Sequence, residues 1–489
     1  MSRETADLTD EARHNLLIPD PQTLGPETVE DLEDLALGDD YALNPEYVEM
    51  VIDAADRGDT ARLRELVHAL EPADVADLMG FLSAGYREEV IPVLDPEWLG
   101  EILAELDDNL REEVLEATPS ATLAKALEEL DSDDAADVVD DLDEGKRAQV
   151  LAAMDEGDRA AIETSLSYED ETAGRLMQRE FLAAPQFWTV GQTIDHVRVS
   201  GDHLPELFFD VYVVDPSFTP VGALPISLLL TSKLETPLAE IMEAVTEITV
   251  DMDQEEVAYI FDKYHLISAP VVEAGGRLVG QITVDDIVGV IREEAEEDIL
   301  ALAGVSDAGR DASVVDIVKA RLPWLLLNLV TATIAVSGVA VFQGEIAQLV
   351  ALAILMPIVS SLGGNAGTQT LAVAVRALAS KELTTANARR IILRELGVGL
   401  VNGFTLAVVM GGATYLFFGP QDHHGKLAII VGLALITNIF TAAVGGILAP
   451  LALAKMGRDP AVSSSIFVTF LTDFTGFFAV LLIAALLLH

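Results

Sequence analysis

The sequence predicts a multidomain membrane protein: an α-helical superhelical repeat domain, a pair of α/β domains, and an α-helical transmembrane bundle of five spans. Three observations predict it. Charge is divided unevenly: of 489 residues with net charge −52, residues 322–489 hold six acids and eight bases, and residues 1–321 hold the other 75 acids against 21 bases. Between residues 71 and 166 a 24-residue pattern runs four times. Beyond residue 322 come apolar segments long enough to cross a bilayer.

Residues 1–40 are acidic and weakly periodic and read as a flexible tail. The beginning of the chain, MSRETADLTDEARHN, lacks the apolar stretch of a signal peptide. Residues 41–168 form the cytoplasmic helical-repeat domain. Its units are EPADVADLMGFLSAGYREEVIPVL, DPEWLGEILAELDDNLREEVLEAT, PSATLAKALEELDSDDAADVVDDL and DEGKRAQVLAAMDEGDRAAIETSL. Each reads as two short helices with apolar residues at i, i+3 and i+4 behind Asp or Pro caps. Repeats of this size stack into a solenoid.

Two segments then share a plan of a short helix ending in Met, an extended apolar run, a helix and a strand pair. They span 169–232 and 233–292 and resemble a tandem pair of CBS domains. In that family a Gly-hydrophobic-x-Thr-x-x-Asp run can hold a nucleotide's ribose and phosphates. Gly280, Thr283 and Asp286 match it, so the pair either carries one candidate ATP site here or is purely structural. In the first copy Gly222 and Ser227 match weakly, and Leu230 replaces the Asp. Residues 293–321 connect this pair to the membrane half, beginning with a helix that has five acids in its first six residues.

The spans are expected at about 322–342, 347–378, 392–419, 427–454 and 464–488 of the pore domain 322–489. Pro357 and a Gly cluster predict a break in the second. Broken helices at membrane depth are tolerated where freed carbonyls line a cavity or hold an ion. The Lys and Arg residues crowd into two loops. Arg376, Lys381, Arg389, Arg390 and Arg394 lie in the loop between spans two and three or within three residues of it, and Lys455 and Arg458 between four and five. This bias predicts a multi-pass protein of the cell membrane with its N-terminal half cytoplasmic and its C-terminus outside.

The fifth span carries one acid, Asp473, in the run FLTDFTGFF. A charge at bilayer depth costs at least about 2.5 kcal/mol on insertion scales, so such a residue is a functional candidate. No Lys or Arg accompanies it in the span, which points to a cation as its partner. Mg²⁺ keeps several of its waters and is commonly held by one or two carboxylates. Softer metals would want Cys or His; the chain has no Cys, and its spans have no His apart from the terminal His489.

The runs PIVSSLGGNAGTQTLAVAVRALA and DPAVSSSIFVTFLTDFTGFF, following helical repeats, a CBS pair and an acidic connecting helix, resemble the MgtE family of magnesium channels and transporters. The resemblance covers about 45–489. It implies a homodimer with one pore, Asp473 as the main selectivity site, and Gly363, Gly364, Asn365, Gly367, Thr368 and Gln369 as a pore lining that supplies carbonyls and side-chain oxygens. It further implies a cytoplasmic Mg²⁺-sensing gate of Asp459, Asp286, Glu294, Glu297 and Asp298. Gly289 and Arg292 stand where many relatives carry acids.

Other classes fare worse. The acidity repels nucleic acid and anionic headgroups. It also fits a halophilic proteome, so clustered acids in the soluble half do not by themselves define a site. A membrane metalloprotease needs His-Glu-x-x-His in a span, which is missing, and no enzyme is expected. A transporter of Mn²⁺, Co²⁺ or Ca²⁺ and a non-transporting Mg²⁺ or nucleotide sensor stay open.

Overall fold

Capping residues recur every twelve positions from Glu71 to Asp155, and each starts a helix. This computed structural model describes residues 32, 35–38, 41–200, 207–303, 305, 314–342, 344, 346, 349–383, 387–418, 424–456 and 460–488. After α1 (Pro45–Asp56) and α2 (Thr60–Val67) come α3 (Pro72–Phe81), α4 (Ala84–Val90), α5 (Pro96–Glu105), α6 (Asp108–Ala117), α7 (Ser120–Leu127), α8 (Ser132–Asp140), α9 (Glu144–Ala153) and α10 (Glu156–Ser165). The 24-residue repeat is therefore a helix pair. Its core repeats in register: Val90, Val114, Val138 and Ile162 are all buried, as are Val75, Leu99 and Leu123. Each unit buries its apolar stripe on its neighbour, at about 1.5–3 kcal/mol per large side chain. An ion-pair ladder has the same period: Arg87 Nη2 meets Glu113 at 2.6 Å, and Arg111 Nη1 meets Asp137 at 2.7 Å.

Next come α11 (Ala173–Leu176), β1 (Ala183–Pro185), α12 (Val190–Val199), β2 (Asp210–Val214), β3 (Pro220–Pro225), α13 (Ile226–Thr231), α14 (Leu238–Ile241) and β4 (Ile248–Thr249). Then follow α15 (Gln254–Tyr264), β5 (Ser268–Val272) and β6 (Leu278–Thr283). They give two three-stranded sheets, β1-β2-β3 and β4-β5-β6. In the first, β1 runs parallel to β2 and β2 antiparallel to β3; in the second, β4 is parallel to β5. The copies exchange edges. Gln178, ahead of β1, bridges Gln281 on β6, and Glu243, ahead of β4, bridges Ala223 on β3.

α16 (Val284–Ala303) starts directly after β6 and runs through the boundary expected at 292, so the last CBS helix and the connecting helix are one rod of 20 residues. Five membrane-length helices complete the chain: α17 (Val314–Val339), α18 (Ala351–Ala379), α19 (Ala388–Phe418), α20 (His424–Lys455) and α21 (Pro460–Leu488). Their apolar stretches are Ile317–Phe342, Ala351–Ala379, Ala388–Phe418, Gly425–Lys455 and Ser464–Leu488.

The chain divides into two compact units. One reaches to Met252 and includes Ser268–Ile282; the other is Asp253–Ile267 with Thr283–His489. The first holds the repeats and both sheets. In the second, α20 is the central span, packing on α18, α19 and α21. The C-terminal end of α16 joins the bundle through Ala301 and Leu302, which cluster with Leu371, Val375, Ala449 and Val468.

The break expected in the second span is not there. α18 is continuous across Pro357 and the glycines. An interior proline removes its own N–H from the ladder and crowds the carbonyl four residues back, but membrane helices tolerate it where neighbouring groups satisfy what is freed. The glycines serve close helix approach: a Cβ on Gly367 would lie 2.5 Å from Val468 Cγ1, and one on Gly446 of α20 would lie 2.8 Å from the Gly367 carbonyl.

Candidate functional site

Asp473 sits midway along α21, half-buried, and Ser360 of α18 donates its hydroxyl to one carboxylate oxygen. Ser360 is buried, so this bond fixes the carboxylate rotamer and leaves the second oxygen for other partners. No ion pair to Asp473 exists among the described residues. On the same helix Phe474 stacks on Phe478 with ring centres 5.6 Å apart, and a Cβ on Gly338 of α17 would lie 3.4 Å from the Phe474 ring. The charge thus sits at bilayer depth in an apolar, aromatic setting with one hydroxyl donor.

The Gly363–Gln369 stretch divides by face. Gly363 and Gly367 are buried against α20 and α21 and face protein neighbours, Asn438 and Val468. In a continuous helix the carbonyls are occupied by the i+4 amides, so no break in α18 frees the carbonyls of this stretch. Gly364 is half-buried, 3.8 Å from Thr472 Oγ1 in the sense that a Cβ would reach it. Asn365, Thr368 and Gln369 are exposed on the chain. Asn365 and Gln369 border a cavity of about 350 Å³ with Asn402 and Thr405 of α19. Thr368 returns its hydroxyl to the Gly364 carbonyl at 3.1 Å.

Of the expected gate, Asp459 lies outside the described residues. Glu294, Glu297 and Asp298 follow one another along α16, with Glu294 and Asp298 half-buried and Glu297 exposed. Gln254 of α15 donates to Glu294 at 2.7 Å. Burial pushes the Glu294 carboxyl above its usual range; the Gln254 bond opposes this, and Glu255, Glu297 and Asp253 add to it by like charge. α15 also meets the loop after α18, where Lys381 Nζ lies 3.3 Å from Glu256 and 4.5 Å from the centre of the Tyr259 ring. Sequence reading missed this contact, because nothing local links residues 256 and 381.

In the nucleotide run, Thr283 is buried; its hydroxyl donates to Asp286 at 2.8 Å and its backbone N–H to the same oxygen at 3.4 Å, at the start of α16. Gly280 has a structural reason of its own. A Cβ there would lie 2.7 Å from the Gln178 carbonyl of the exchanged edge. Gly222 is its counterpart in the first copy, 2.8 Å from the Glu243 carbonyl by the same construction of a Cβ.

Five spans, an intramembrane carboxylate and a soluble half attached through an acidic rod define a membrane protein that handles cations. Family comparison makes this particular. Residues 356–483 match the MgtE divalent cation transporter model, 70–171 the MgtE intracellular N domain, and 238–293 a CBS domain. The chain is 34% identical to the magnesium transporter MgtE of Thermus thermophilus, over 89% of this chain and 97% of that one. It is 35% identical to the magnesium transporter MgtE of Enterococcus faecalis, over 64% and 68%. The solved cytosolic domain of the Mg²⁺ channel MgtE in complex with ATP is 32% identical and covers 50% of this chain and 99% of its own, with a TM-score of 0.47. The chain belongs to the MgtE family.

Proposed function

We propose that the protein is a Mg²⁺-selective channel or transporter for magnesium uptake, working as a homodimer in the cell membrane and shut by Mg²⁺ on its cytoplasmic side. The observation that carries the reading is Asp473, an acid at mid-span whose one bonded partner among the described residues is the Ser360 hydroxyl. Two such carboxylates across a dimer axis make a sparse anionic site. That suits a hydrated, hard cation, which must also be released. Asn365, Thr368 and Gln369 then offer oxygens to its waters.

The orientation follows from charge and from α15 and α16. Lys381, in the basic loop after α18, touches Glu256 on α15, and the α16 terminus packs on Leu371 and Val468. These ends therefore share the side of α15 and α16, the cytoplasmic side. At the other end Lys426 reaches the Leu487 carbonyl at 2.8 Å. Gating follows from repulsion. Without divalent ions, Glu294, Glu297, Asp298 and Asp459 push apart; with Mg²⁺ between them, α16 seats against the bundle and the pore closes. The same reading puts an adenine nucleotide such as ATP at the second CBS copy, beside Thr283 and Asp286.

The test is ion entry into proteoliposomes holding the full chain. Mg²⁺ influx that exceeds Ca²⁺, Mn²⁺ and Co²⁺ influx, and that falls as Mg²⁺ rises on the side of the soluble half, is expected. Preference for another divalent ion would change the substrate, and no influx of any would favour a sensor.

A further inference from the structure

Behind the Ser360–Asp473 pair stands Asn438, at the middle of α20 and fully buried. Its carboxamide donates to the Val359 carbonyl of α18 at 2.8 Å. Both neighbouring helices are glycine where they meet it. A Cβ on Gly363 would lie 2.0 Å from Asn438 Nδ2, and one on Gly476 would lie 2.9 Å from it and 3.0 Å from the Ser360 Cα. The carboxamide therefore fills a notch cut into α18 and α21 together. It touches α18 at the residue before Ser360, and α21 one turn beyond Asp473, since positions three apart share a helix face.

Stability does not account for a polar residue here. Asn438 Oδ1 is buried and has no hydrogen-bond partner among the described residues. An orphaned acceptor in a packed interior is unfavourable, and a Leu of similar volume would avoid it. What Leu would lack is the directed bond to the Val359 carbonyl. That bond fixes α18 in rotation and height against α20, and so fixes where the Ser360 hydroxyl points.

We propose that Asn438 is a positioning residue for the cation site: its carboxamide, wedged between Gly363 and Gly476, sets the α18–α21 spacing at which Ser360 holds the Asp473 carboxylate. This rests on the reading of Asp473 as the cation site. Partners that orient a metal ligand, without touching the metal, change affinity by about 10–100-fold when removed. Asn438 acts at one further remove, through Ser360, so its removal belongs at the lower end.

The test is Mg²⁺ influx by the full chain in proteoliposomes for Asn438→Leu, with the half-saturating Mg²⁺ concentration and the Mg²⁺/Ca²⁺ influx ratio both measured. The expected result is a half-saturating concentration raised about tenfold and a lowered influx ratio, with little further change when Ser360→Ala is added, because both changes act on one bond. Asn438→Ser, which leaves space instead of an apolar wedge, is measured beside it in case Asn438→Leu does not fold; the same shifts are expected. A folded variant with lower thermal stability but wild-type half-saturation and influx ratio would overturn the proposal and leave Asn438 a packing residue. Asp473→Asn in the same assay separates the two failures. If it abolishes influx while the Asn438 variants behave as wild type, positioning fails alone; if it leaves influx intact, the cation-site reading fails first.

Discussion

A single serine hydroxyl distinguishes Asp473 from a stray charge, since it holds the carboxylate in one rotamer at bilayer depth. Removing it with Ser360→Ala should leave conduction but raise the half-saturating Mg²⁺ concentration about tenfold, as read from influx against external Mg²⁺. A second residue-level prediction concerns Asp210 on β2. Burial pushes its carboxyl above the usual 3.8, Ser268 holds it down by donating at 2.7 Å, and Glu243 adds to the rise. The sign follows from proton linkage. The folded chain keeps this proton more tightly than the unfolded chain, so the group favours folding below the unfolded value, and that contribution is lost as pH rises through the raised one. Asp210→Asn should therefore raise the melting temperature of the soluble half at pH 7 and not at pH 4. An equal change at both would deny the shift. Asp473 was legible in the sequence because a lone acid in an apolar run is conspicuous. Ser360 and Asn438 were not, because their partners lie 113 and 79 residues away and neither residue type is unusual in a span.

Among the elements, the repeat was fully legible as a period and only half legible as a structure. Capped helices start every twelve residues, and the fixed core positions follow from that spacing. Its tightest joint was not visible. A Cβ on Gly100 of α5 would lie 2.4 Å from the Ala126 carbonyl of α7. Gly100→Ala should thus destabilise the repeats by about 1–3 kcal/mol through overpacking, outweighing the roughly 1 kcal/mol that Ala gains over Gly in a helix. Thermal unfolding should show a lowered melting temperature, and an increase would contradict the close approach. The second span carries the opposite lesson. Pro and Gly read as a break when taken alone, yet in α18 each glycine answers a neighbour: Gly363 faces Asn438, and Gly367 faces Val468. Small residues at membrane helix crossings permit close packing, and periodicity cannot tell that use from a break. Gly280 is similar, since the close approach of Met177 and of the Gln178 bridge accounts for it without a ligand.

For the whole molecule, the order of domains was legible from charge and repeats, whereas the way α16 joins them was not. It is one helix from Val284 to Ala303, about 30 Å long at 1.5 Å per residue. At its start Asp286 accepts from Thr283, and its end packs on α18 and α21. On the proposed gating, it is this rod that carries charge neutralisation at the acids to the bundle. Neutralising Glu294, Glu297 and Asp298 together, as Gln, Gln and Asn, should therefore raise the cytoplasmic Mg²⁺ needed for half-closure about tenfold, or 1.4 kcal/mol. Influx recorded against internal Mg²⁺ would read this, and an unchanged threshold would place the sensor elsewhere. The central claim remains the carboxylate pair, and it is tested most directly by Mg²⁺ influx into proteoliposomes for Asp473→Asn, which keeps the side chain's size and removes its charge. Influx reduced to background in a folded, dimeric variant is the predicted result; influx at the wild-type rate would contradict it.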